Sequence, residues 1–331
     1  MIKNRAWAAA IGLWAMLGLG AAEALALTRS HSGVASVLGA VNWSAMAAVV
    51  PVQILSIGIC ALALRGLRPG APYLACLYSR WLRDAGGNLL VFAPGIGEVA
   101  GVRALTLMGA TTVGSVSASA MDVGAESLAQ VPYAIFAVLV LLPTSAARLD
   151  LQFWFRCALS LGGAVALVVL AWRSGRIALG RLPPILVPIR RGLAALGGAF
   201  AARRPEMPVA TLLHLVAWIM GGVQVWLAIR TMGLHVSVLN AVALESLVYA
   251  ARAVLFIVPG GLGVQEASFV GAGLLFGLSP TQALSLSLVL RARDILIGGP
   301  ALILWPVIEA AGAARGPKTQ LVRRAHIDES L

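Results

Sequence analysis

The sequence predicts an all-α, polytopic membrane protein with two inverted-topology repeats, each containing a re-entrant helical hairpin. Three observations predict it. Of 331 residues, 60% are hydrophobic and only 11% are charged, with a mean hydropathy of +0.90, whereas soluble domains carry roughly 25% charged residues. Apolar sequence is interrupted twice by glycine and proline, at Pro94-Gly-Ile-Gly-Glu98 and at Pro259-Gly-Gly-Leu-Gly-Val-Gln-Glu266. The surroundings of the breaks also repeat. A shift of 168 residues places Glu98 on Glu266, Gly109 on Gly277, Ser117 on Ser285, Ser119 on Ser287, Pro132 on Pro300 and the acid Glu126 on Asp294. Nine of the 35 positions between 98 and 132 are identical under that shift, where such a composition gives roughly a tenth by chance.

The elements follow in order. A hydrocarbon core about 30 Å thick takes about 20 helical residues. The first half reads as helices near 6–27 and 43–64, a hairpin over 73–110 and a long helix over 112–147. The second reads as helices near 154–173 and 207–229, a hairpin over 237–277 and a helix over 279–310. Trp43 to Leu64 and Met207 to Ile229 carry no formal charge, and Trp7 to Leu27 carries only Glu23. Arg156 to Trp172 is shorter, with Arg156 and Arg173 able to snorkel from its ends. Lys3, Arg5 and Ala24-Leu-Ala26 imitate a cleavable signal, but the repeat requires this stretch as a retained crossing.

Val99 to Gly109 is too short to span. If each hairpin dips in and returns, each half crosses an odd number of times, so the halves are inverted. That gives about six full crossings plus two hairpins; the competing count is about eight crossings, with the limb 73–93 spanning. The whole chain 1–331 is then one transmembrane domain. Its first repeat is 1–150 and its second 151–312, with a basic interfacial segment at 174–206 and a basic tail at 313–331.

Charge orients the chain. Arg173, Arg176, Arg181, Arg190, Arg191, Arg203 and Arg204 share one loop with no acid among them. Arg315, Lys318, Arg323 and Arg324 mark the C-terminus, Lys3 and Arg5 the N-terminus. Basic residues accumulate on the cytoplasmic side, so all three segments are expected there. The loop interleaves arginine with Ile, Leu and Val, as an interfacial segment on anionic headgroups does. Nucleic acid is not expected as a partner.

The charges within the two irregular regions are nearly balanced, six basic against seven acidic. Charges at membrane depth are costly and mark transport pathways or paired sites. The candidate transport residues are Arg83, Asn88, Glu98, Arg103, Asp122, Glu126, Arg252, Glu266, Arg291 and Asp294. The backbone breaks that set the hairpin tips are Pro94, Gly95, Gly97, Pro259, Gly260, Gly261 and Gly263. Irregular backbone at this depth needs protein or a water-filled cavity to satisfy it. Asp122 and Glu126 share a helical face, as do Arg80, Asp84 and Asn88. Arg291 and Asp294 are spaced to pair, with Arg293 on the opposite side.

Blander roles compete at each position. Arg80, Asp84 and Glu245 also read as interfacial residues, Arg293 as an anchor to a neighbouring helix, and the acids as structural ion-pair partners. Gly97-xxx-Gly101 and Gly273-xxx-Gly277 read as close-packing sites. Cys60, Cys76 and Cys157 have no metal-ligand spacing, and His31, His214, His235 and His326 are scattered. No cofactor, metal or catalytic constellation is expected.

Asn88, the run 94–98, Arg103 and PGGLGVQEA at 259–267 resemble the transmembrane region of the lysylphosphatidylglycerol synthase/flippase family. More narrowly, the run 259–298 with Asp122, Glu126 and Gln130 resembles the hopanoid-biosynthesis-associated membrane proteins of that family. The resemblance covers nearly the whole chain. It implies a bacterial inner-membrane transporter or flippase rather than an enzyme, linked to hopanoid or related lipids, with membrane lipids and lipid-biosynthesis enzymes as partners. Only a short basic tail follows the last helix, so headgroup synthesis is not expected. A lipid-modifying membrane enzyme and a scaffold for biosynthetic enzymes are the alternatives. A central cavity lined by unpaired arginine would separate transport or catalysis from the scaffold.

Overall fold

The computed structural model describes residues 43–90, 95–141, 205–255 and 264–314, together with position 198. The expected helices at 6–27 and 154–173 lie outside the described residues, as do Pro94, Pro259, Gly260, Gly261, Gly263, Cys157 and most of the segments 174–206 and 313–331. Every regular element among the described residues is a helix. In chain order these are α1 (Trp43–Leu67), α2 (Tyr73–Leu89), α3 (Ile96–Leu107), α4 (Thr112–Leu141), α5 (Met207–Thr231), α6 (Val238–Leu255), α7 (Val264–Leu275) and α8 (Pro280–Ala314).

The sequence of lengths recurs. Helices of 25, 17, 12 and 30 residues in α1 to α4 are followed by helices of 25, 18, 12 and 35 in α5 to α8. Gly109 and Gly277, 168 residues apart, both take positive φ, 102° and 80°, in the turns that follow α3 and α7. That conformation is open to glycine at little cost. α1, α4 and α5 are long and apolar enough to cross a membrane. Apolar residues point outward along them, including Leu55, Leu139, Leu212 and Ile219, where lipid rather than water is their natural solvent.

Each expected hairpin region resolves into two helices in contact, α2 with α3 and α6 with α7. Glycine allows the first pair to close. A Cβ on Gly97 would stand 2.5 Å from the Arg83 carbonyl oxygen, and one on Gly101 would stand 3.2 Å from the Arg83 Cβ. Ser79 donates its hydroxyl to the Gly101 carbonyl at 2.8 Å, tying the limbs where their backbones meet. In the second half Gly273 presses on Ala283 of α8, where a Cβ would meet the alanine Cβ at 2.9 Å.

α1 lies against α5 in the most extensive helix pairing. A core of Val49, Ile229, Leu244, Phe269, Leu286 and Leu290 knits α1 to the second half. Leu82, Ala100, Leu302 and Trp305 join α2 and α3 to α8, and Trp81 Nε1 donates to the Ile297 carbonyl at 2.8 Å. α4 packs against both α5 and α6. The helix faces bearing Arg83, Asp122, Glu126, Glu266, Arg291 and Asp294 are thereby turned into the molecule, whereas Glu98 and Arg103 on α3 stay about half exposed.

Candidate functional site

Two helices supply the first charge cluster. Arg80 and Arg83 project from α2, while Asp122 and Glu126, one turn apart on α4, face them. The Asp122 Oδ2 accepts Arg80 Nη1 at 3.2 Å and Arg83 Nη1 at 3.1 Å. Glu126 accepts Arg80 Nη2 at 2.9 Å on Oε1 and Arg83 Nη2 at 2.8 Å on Oε2. Each planar guanidinium thus spans both carboxylates, a fit that lysine could not reproduce. Asp84 stands 3.0 Å from Arg80 Nε, and Glu98 accepts Arg83 Nε at 3.3 Å from the start of α3. The Glu98 side chain is half exposed, whereas Asp122 is 2% exposed.

His214 completes this cluster, although nothing beside it in the sequence marks it. It is wholly buried on α5, with Nε2 2.8 Å from Asp122 Oδ1. A carboxylate only accepts hydrogen bonds, so Nε2 carries the proton when Asp122 is ionised. Arg80, read from sequence as a possible interfacial residue, is instead buried at the centre with its charge committed to Asp84, Asp122 and Glu126.

The second half is arranged differently. Arg291 pairs with Glu266 at 2.8 Å, joining α8 to α7. Asp294 pairs with Arg293 at 2.7 Å rather than with Arg291. The spacing of 291 and 294 suits a helical pair, but Gln224 of α5 accepts Arg293 Nη1 at 2.6 Å and draws that side chain toward α5. Gln224 in turn donates to Gln53 of α1 at 2.9 Å. Arg293 does link to a neighbouring helix, then, but from the buried side that also holds Asp294. Arg103 stands apart from the other candidates in a bidentate pair with Glu309 of α8, at 2.6 Å for each bond.

Arg252 is the exception. It donates to Asn88 Oδ1 at 3.2 Å and lies 5.4 Å from the Tyr249 ring centre. No described carboxylate lies within ion-pair distance of it. It forms part of the wall of an open cavity of about 330 Å³, bounded by Arg83, Glu126, Gln130, Trp218, Tyr249 and Arg252, with Val123 and Ser127 between them. The cavity therefore lies between α2 and α4 of the first half and α5 and α6 of the second. Trp218 and Tyr249 stand edge to face, 4.3 Å between centroids, and fix the aromatic side of the wall.

Comparison with known protein families gives a match over most of the chain. The family model described as the lysylphosphatidylglycerol synthase TM region covers residues 6–299. The chain belongs to that family. No curated protein and no solved structure matches it. As a member of the lysylphosphatidylglycerol synthase transmembrane-region family with apolar helices of spanning length, it is a membrane protein. The matched region contains every candidate residue named above, from Arg83 to Asp294.

Proposed function

We propose that this protein translocates lipid across the bacterial inner membrane, and that it is a transporter rather than an enzyme. One observation carries the reading: Arg252 faces a cavity at the junction of the two halves with no described carboxylate paired to it. A charge left without a counter-ion at membrane depth costs a few kcal/mol, and a guanidinium there can grip a phosphate or carboxylate through two hydrogen bonds. Ser127 and Gln130 add hydrogen-bonding groups on one wall, and Trp218 and Tyr249 an apolar one on the other. A scaffold whose charges only hold helices together has no use for such a space.

In this reading Arg83, Glu126 and Arg252 meet the headgroup. Asn88 and Asp122 hold them in place, Glu98 ties α3 to α2, the pairs Arg103–Glu309 and Arg291–Glu266 keep α3 and α7 in register with α8, and Asp294 holds Arg293. The two halves are inverted repeats with re-entrant hairpins at α2–α3 and α6–α7, supported by the recurring order of helix lengths. Both termini and the 174–206 segment face the cytoplasm, on the strength of their arginines. The cargo is hopanoid or a related lipid, delivered by lipid-biosynthesis enzymes. This part of the reading rests on the resemblance of residues 259–298.

Reconstitution tests it. The full chain is placed in vesicles carrying a trace of fluorescent phosphatidylglycerol, and the label reachable by a membrane-impermeant quencher is followed with time. Protein-containing vesicles should expose the inner-leaflet label several-fold faster than empty ones. Equal rates would overturn translocation, and an altered headgroup in the recovered lipid would turn the reading toward an enzyme.

A further inference from the structure

Glu245 is the least compensated acid among the described residues. It is 4% exposed, and it makes no hydrogen bond or ion pair with any described residue. Its Oε2 is buried without a partner, and so is the Tyr133 hydroxyl on α4. Its surroundings are otherwise committed. On α5 it lies against Gly221, with Oε1 3.7 Å from where a Cβ would stand; of the ionisable residues of that helix, His214 is held by Asp122 and Arg230 sits against His235 at the far end. On α7, Glu266 is paired with Arg291; on α8, Arg293 is paired with Asp294. On α6 itself, Tyr249 and Arg252 follow at one and two turns and reach the cavity wall.

An ionised carboxylate in this position would be a buried, unpaired charge, which proteins avoid by taking up a proton. We propose that Glu245 is a proton-binding site that couples headgroup binding at Arg252 to proton uptake. Two cations act on Glu245 through space: Arg293, which Asp294 already pairs, and Arg252, two turns further along α6, which no described carboxylate pairs. An anionic headgroup on Arg252 cancels that cation's pull, and Glu245 then binds a proton more readily. By linkage, a proton on Glu245 strengthens headgroup binding by the same factor. Proton and lipid then move in the same direction, so a proton gradient can drive the lipid. The coupling rests on the translocation reading, whereas the proton site does not.

Two measurements separate them. Infrared difference spectra of the purified full chain, between mildly acid and alkaline buffer, should contain the carbonyl stretch of a protonated carboxylic acid. Glu245→Gln should remove that band, and Glu245→Asp should keep it, shifted. No such band in the wild type, or one that survives in Glu245→Gln, would overturn the site. In vesicles, an imposed pH gradient should speed fluorescent phosphatidylglycerol movement several-fold for the wild type and leave Glu245→Gln unresponsive. A Glu245→Gln variant that still follows the gradient would overturn the coupling. A wild type that moves no lipid would remove the coupling together with translocation, leaving the infrared result to decide the proton site alone.

Discussion

Arg252 of α6 donates a hydrogen bond to Asn88 of α2 at 3.2 Å. The two residues stand 164 positions apart, each near the end of the helix that precedes a Gly/Pro break in its half. The contact therefore joins α2 of the first half to α6 of the second. Asn88 offers an acceptor but no charge, which leaves the Arg252 guanidinium oriented and its positive charge uncancelled. A carboxylate at position 88 would have neutralised the wall of the cavity.

Asp122 should be the most stability-sensitive of the charged positions. It is bound by Arg80, Arg83 and His214 while 2% exposed. Replacing it with alanine leaves two buried guanidinium groups and an imidazole short of a partner, and breaking a buried pair in this way costs about 3–5 kcal/mol. Thermal unfolding in detergent should show a large loss for Asp122→Ala. Arg103→Ala, which removes an exposed pair with Glu309, should cost less than about 1 kcal/mol. Equal melting of the two variants would contradict the central role given to Asp122.

Neighbouring glycines should respond in opposite directions. A Cβ at Gly97 meets the Arg83 carbonyl at 2.5 Å and the Gly87 nitrogen at 2.9 Å, whereas a Cβ at Gly87 meets nothing within 4 Å. Gly97→Ala forces α2 and α3 apart and should destabilise by about 1–3 kcal/mol. Gly87→Ala lies inside a helix and should stabilise by about 0.5–1 kcal/mol. Unfolding curves of the two variants check this directly, and a neutral Gly97→Ala would mean that the limbs are not in backbone contact.

Much of this arrangement was legible in the sequence because hydrocarbon leaves few options. Runs such as Trp43 to Leu64 can only be helices, and charges set in apolar sequence must find partners. Arg83, Asp122 and Glu126 meet that requirement by converging. Partner choice was not legible. Spacing on one helix favoured Arg291 with Asp294, but Glu266 on α7 and Gln224 on α5 decide the matter, and neither can be placed without the packing of those helices. His214 gave no local signal, since its role arises only where α5 meets α4. Glu245 looked like an interfacial acid because nothing in α6 reveals that its face is covered by α4 and α5.

Topology follows from charge. Reporter fusions placed after Arg204 and after Arg324 should both report cytoplasm, because both follow runs of basic residues with no acid among them. Opposite reports from the two would require an even number of crossings in the second half and would remove the inverted arrangement.

The central claim is that Arg252 recognises an anionic headgroup, and an arginine-to-lysine exchange tests it most directly. Arg252→Lys keeps the charge but loses the planar fork. The measurement is the rate of fluorescent phosphatidylglycerol movement in vesicles matched for the amount of folded protein, with Arg103→Lys as the control at an exposed pair. Arg252→Lys should slow movement by about tenfold, equivalent to roughly 1.4 kcal/mol, while Arg103→Lys stays near wild type and both melt normally. A wild-type rate in Arg252→Lys, with loss of folding only in Arg252→Ala, would contradict the account and make this arginine a structural partner of Asn88.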